Sequence, residues 1–204
     1  METYDGVKKT IIFAIIFIIS AVLIFGQQIF PAVKASGGSF SFKDFYRDRD
    51  GLAANRDLTS EADLTVKAVS DLDLEKGVIN SFVEDSLISS ELQRRGKNQS
   101  DIEKLISDNI KPENLGKIEE ATKKLYGWSV DDFKKFILYP QARRQILEVE
   151  FNKSPHLPAG YSGRWGDKDK IDFDAWLGRA KKKAMVSIYL PRWRWVSGEV
   201  EGRY

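Results

Sequence analysis

Residues 11–30 read IIFAIIFIISAVLIFGQQIF, and the meaning given to this stretch decides the fold assigned to everything after it. No Asp, Glu, Lys or Arg occurs from Thr10 to Val33. About 20 helical residues, at roughly 1.5 Å each, cross a hydrocarbon core of about 30 Å. The run therefore predicts one transmembrane helix, with the lipid bilayer as a partner through 11–30. Lys8 and Lys9 before it, and Gly26, Gln27 and Gln28 at its end, suit a cytoplasmic N-terminus. Lys34, Lys43, Arg47 and Arg49 count the other way, although the charge rule weakens when a long domain follows. A cleavable signal peptide is the alternative, with Val33-Lys34-Ala35 placing the cut after Ala35. Both readings deliver the rest of the chain outside a bacterial cytoplasm, either held at the cell membrane or secreted into the periplasm.

Outward from that stretch, 1–35 is read as cytoplasmic tail, anchor and start of a linker. Residues 36–71 are read as a flexible or irregular linker, beginning with Ser36-Gly37-Gly38-Ser39 and containing the turn-like RDRDG at Arg47 to Gly51. From Leu72 the apolar residues fall at helical spacing. Val78, Ile79, Phe82, Val83, Leu87, Ile88 and Leu92 predict a helix over about 74–95, closed by Arg94-Arg95-Gly96. Ser100 to Glu103 has the form of a capping box before Ile102, Leu105, Ile106 and Ile110. Pro112 opens a third helix carrying Leu115, Ile118 and Leu125, which Gly127 ends. Ser129 and Asp132 open a fourth, and Pro140 predicts a kink near Phe136 to Pro140.

PHLPAGYSGRWG, residues 155–166, is a loop by composition. Asp172 can cap a last helix facing inward with Phe173, Trp176 and Leu177. Val186, Ile188 and Leu190 then alternate as a strand, and Trp193, Trp195 and Val196 extend it. The fold class expected is mainly α: an N-terminal transmembrane helix, an irregular multi-helix domain over 72–191, a short C-terminal β element, and a tail over 192–204.

Composition excludes several chemistries. The chain has 204 residues, with 32 Lys plus Arg against 30 Asp plus Glu, a balance that offers no surplus for nucleic acid. It has no cysteine, so there is no thiolate nucleophile and no disulfide. The single histidine, His156, lies between prolines without a partner for a triad or a two-histidine metal site. Asp167 to Asp174 has acidic spacing like a calcium loop, but the central glycine and final glutamate are missing and Lys168 and Lys170 offset the charge. No catalytic residue, cofactor or metal is expected.

The segments VINSFVEDSLISSELQRRG (Val78 to Gly96), NQSDIEKLISDNI (Asn98 to Ile110) and LYGWSVDDFKKFILYPQARRQILEVEF (Leu125 to Phe151) resemble the N-terminal chaperone domain of SurA-like proteins. The matching features are Arg95-Gly96, Ser100-Asp101 with Glu103, Gly127-Trp128-Ser129 with Phe133, and Pro140 with Arg144-Gln145 and Leu147. The opening strand of such domains is not legible in Phe40 to Val69, and no parvulin-type prolyl isomerase domain follows. The resemblance implies binding of unfolded or extended polypeptide without catalysis. Phe136, Tyr139, Trp165, Trp193 and Trp195 are the aromatic candidates for client contact. A structural subunit buried against one protein of the cell envelope is the competing expectation.

Overall fold

The computed structural model describes residues 30–62, 69–153 and 173–203, and it is mainly helical with a few short strands. Among these residues no helix is long and apolar enough to cross a membrane. This corrects the fold class, which was built on an N-terminal transmembrane helix. The physical reason is visible at the end of the uncharged run: Pro31 to Ala35 is extended and belongs to a sheet. Residues 11–29 of the expected span lie outside the described residues.

Strand β1 (Pro31–Ala35) and β2 (Gly38–Ser41) form an antiparallel hairpin, and β3 (Ser187–Ile188) pairs with the other side of β1, giving the order β2-β1-β3. Val33 lies opposite both Phe40 and Ile188, and the Tyr189 N–H donates to the Ala32 carbonyl at 2.8 Å. Ala32 and Val33 are both 0% exposed, so the central strand is also a piece of the core. Cleavage after Ala35 would remove that strand whole.

The stretch expected as a linker carries β2 and then α1 (Phe42–Ala62). The Ser41 hydroxyl accepts the Asp44 N–H at the helix start, satisfying one of the free donors there. Phe45 is buried, with Phe42 and Leu52 packed on the same core. Residues 47–51 continue this helix and do not turn. The central helix is α2 (Asp71–Arg94), whose Ser70 accepts the Asp73 N–H as N-cap. Its buried Val78, Ile79, Val83, Leu87, Ile88 and Leu92 recur at four-residue steps, doubled at Val78 with Ile79 and at Leu87 with Ile88, along one stripe. Gly96, with φ 76°, and a Lys97 N–H to Leu92 carbonyl bond close it.

Helix α3 (Gln99–Asn109) starts one box earlier than its sequence suggests, with Asn98 and Asp101 capping each other. A 3-10 turn (Pro112–Asn114) leads into α4 (Leu115–Tyr126), ended by left-handed Gly127. Ser129 and Asp132 form the expected capping box for the short α5 (Val130–Phe133). The Arg47 guanidinium donates to the Asp132 carboxylate at 2.9 and 3.1 Å and to the Gly127 carbonyl at 3.0 Å, tying α1 to this corner.

Next comes a π turn (Lys134–Leu138) and then α6 (Tyr139–Lys153). Pro140 has no N–H to give the preceding turn, and the backbone accommodates it by widening, with the Tyr139 N–H reaching the Lys134 carbonyl. Helix α7 (Phe173–Lys183) docks through Phe173 and Trp176 against Phe151 of α6. The chain closes with an antiparallel hairpin, β4 (Trp193–Val196) and β5 (Glu199–Gly202), turned at Ser197 and Gly198, both with positive φ. Around α2 pack α1, α6, α7, β1 and β5, so the first and last parts of the described chain meet on one core.

Candidate functional site

Two concave surfaces flank the π turn at Lys134–Leu138, and its residues are divided between them. The first is an apolar groove of about 390 Å³ between α3, α4 and the turn. Ile106 comes from the last half of α3 and Ile110 from the residue that follows it, Leu115 and Ile118 from the first half of α4, and Leu138 and Tyr139 from the turn and the start of α6. Glu103 and Lys134 contribute charges of opposite sign to the lining.

The groove exists because α3 and α4 each have an apolar stripe and little to cover it. On α3 only Ile102 is fully buried, and on α4 only Thr122. Leu115 stays 42% exposed. Helix α3 packs on α6 while α4 packs on α1 and α5, so the two stripes converge without closing on each other. Isolated exposed leucines are ordinary on a protein surface, but a contiguous apolar groove marks a place where another apolar group can be buried.

The second surface is a half-open cavity of about 240 Å³ lined by β2, α1, α2, the π turn and the start of α6. One wall is aromatic: the Phe40 and Phe82 rings stack at 4.9 Å, and Phe136 meets Phe40 edge-on at 6.4 Å. The other wall is charged. Lys135 pairs with Asp44 at 2.6 Å and Arg143 with Asp85 at 2.7 Å. Asp48 also lines the cavity and, among the described residues, makes no hydrogen bond or ion pair. Burial, with the neighbouring Asp44 charge adding to it, pushes the Asp48 carboxyl up to about 7. Burial also raises Asp85, though its Arg143 partner opposes the shift, and its Oδ1 is buried without a hydrogen-bond partner.

The aromatic residues singled out in the sequence are not gathered at one place. Phe136 faces the charged cavity and Tyr139 the apolar groove, although they are three residues apart. Trp193 is buried, and its indole N–H donates to Glu75 at 2.8 Å. Trp195 is half-buried, with its Nε1 buried and unpartnered among the described residues. Trp165 lies outside the described residues, as do His156, the 155–166 loop and Asp167 to Asp172 of the calcium-like stretch. Among the described residues no group of three or more His, Asp or Glu is placed to hold a metal ion.

The charged cavity is not legible in the sequence, because Asp44 and Asp48 of α1 meet Asp85 of α2, 37 residues further on, only through tertiary packing. The available signal was Asp44 and Asp48, four residues apart, followed by Asp85 on a strongly apolar helix face. The groove residues were all placed on helices, but nothing in the sequence says that their stripes face one another. Comparison of the chain with protein-family models, curated proteins and solved structures gives no match.

Proposed function

We propose that the chain binds extended or non-native polypeptide segments in the apolar groove between α3, α4 and the π turn, without catalysis. The observation that carries this reading is the pair of uncovered apolar stripes that meet around Ile106, Ile118 and Leu138. A client's apolar side chains gain about 25 cal/mol for each Å² removed from water there, which needs no particular sequence. Glu103 and Lys134 can interact with backbone or charged groups that flank such side chains. The resemblance of Val78 to Gly96 and Leu125 to Phe151 to SurA-like domains implies the same class of partner.

The test is aggregation of several unrelated unfolded proteins in the presence of the full chain. The expected result is slowed aggregation of most of them. Ile118→Asp, which puts a charge into the groove from a half-buried position, lowers affinity for an apolar reporter peptide by roughly 5- to 150-fold, the equivalent of about 1–3 kcal/mol for one lost apolar contact. No effect on any client, together with tight binding to one native envelope protein, overturns the reading and makes the chain a structural subunit.

A further inference from the structure

We propose that the cavity between Phe40, Phe82, Phe136 and Asp48 is a binding site for a primary ammonium group on an alkyl stem. The charge balance inside it decides the sign of the ligand. Lys135 and Arg143 are each already paired, with Asp44 and Asp85, so an incoming anion would meet spent cations and three carboxylates. Asp48 is left over, half-buried and with no cation of its own among the described residues. Even half-buried, a carboxylate in that position is stabilised by a cation that neutralises it.

The walls decide what kind of cation fits. Three phenylalanine rings offer apolar surface for an alkyl stem, and their negative faces attract an organic cation near a ring. A hard metal ion demands a shell of several oxygen ligands, and no such group of side chains is placed together among the described residues. The volume of about 240 Å³ lies just below the roughly 300–1,000 Å³ of pockets for drug-sized molecules. It suits a small amine or one lysine side chain.

Binding is coupled to a proton. The polar and charged groups that line the cavity with Asp48 are Asp44 from its own helix, Ser81 and Asp85 from α2, Lys135 from the π turn and Arg143 from α6; β2 contributes Ser39 and Phe40. With its carboxyl pushed up to about 7, Asp48 is mostly protonated in the empty cavity at pH 6 and mostly ionised at pH 8. An ammonium ligand favours the ionised form, so its affinity rises with pH by about tenfold between those two values and levels off above them.

The experiment titrates the full chain with n-butylammonium chloride at pH 6, 7 and 8 by calorimetry, with n-butanol as the uncharged control. A second arm compares a lysine-containing peptide with its norleucine counterpart. The expected result is butylammonium binding that tightens about tenfold from pH 6 to pH 8, with butanol at least tenfold weaker. Asp48→Asn removes both the binding and its pH dependence, and its melting temperature at pH 8 stays at or above that of the parent because an unpaired, half-buried charge is gone. A preference for the lysine peptide identifies a polypeptide side chain as the ligand, and indifference to it with butylammonium bound identifies a small amine. Absence of butylammonium binding, butanol binding equally well, or affinity that does not change with pH each overturns the proposal, even if the Asn variant fails to fold. The readout is separate from the groove, because Ile118 does not line this cavity and Ile118→Asp is expected to leave butylammonium binding unchanged.

Discussion

A chain that begins at Ser36 is expected to lose its cooperative thermal transition, whereas one that begins at Phe30 keeps it. The difference is strand β1, five residues that lie between β2 and β3 and are bonded to both. Removing it takes away Val33, whose complete burial is worth about 1.5–3 kcal/mol, and the ladder bonds on both sides, each worth about 1 kcal/mol net. Phe40 and Ile188 then lose the side chain between them, and both remaining strands become unpaired edges. Against a total stability of roughly 5–15 kcal/mol for an ordinary domain, that loss is enough to unfold it. Circular dichroism melts of the two truncations decide the matter; a Ser36 chain melting within a few degrees of the Phe30 chain would show that the strand is dispensable. In the full chain, Val33→Asp tests the same strand with a single buried charge, and a large fall in midpoint is expected there too.

The same residues show why part of the fold is illegible in the sequence. Ala32 and Val33 extend an apolar run that starts at Ile11, and hydropathy alone gives no boundary between a membrane-type segment and a buried strand. Only the pairing with Ser187 and Ile188, about 155 residues later, makes the end of that run a central strand. Helix α2, by contrast, is plain from its own text, because a stripe of seven apolar positions and a left-handed glycine agree, although its cap is Ser70 and not the Asp71 or Asp73 that the sequence also offers there. The capping boxes before α3 and α5 and the glycine after α4 are equally local, and each lies at or within two residues of its expected place. The groove and the charged cavity depend on which faces of these helices meet. That information resides in tertiary packing: Phe136 and Tyr139 sit three residues apart, yet the widened π turn sends them to different surfaces.

RDRDG at Arg47 to Gly51 is the sharpest case, since a glycine after alternating charges reads as a turn and is in fact the middle of α1. The glycine is there for its missing side chain. A Cβ at Gly51 would overlap the Trp128 indole, which is 2% exposed and donates its N–H to the Arg47 carbonyl at 2.9 Å. The ring has little freedom to retreat. Tyr126 stacks on it at 4.6 Å and Phe136 lies 5.3 Å away on another side. Gly51→Ala gains about 1 kcal/mol of helix propensity, which on an exposed helix would raise stability. Here overpacking costs about 1–3 kcal/mol and a displaced indole N–H another 1–3 kcal/mol, so a net loss of about 1–5 kcal/mol is expected from urea midpoints. Gly51→Val, with a smaller propensity gain and two further carbons, is expected to be worse. Pairing Gly51→Ala with Trp128→Leu makes room for the new methyl, so the double variant should be more stable than the sum of the two single losses predicts by over 1 kcal/mol. If Gly51→Ala instead matches the parent within about 0.5 kcal/mol, the close approach of α1 to Trp128 is not a constraint on the fold. Because Trp128 also braces Phe136, the single variant should loosen the aromatic wall of the Asp48 cavity and weaken butylammonium binding while leaving the opposite groove intact.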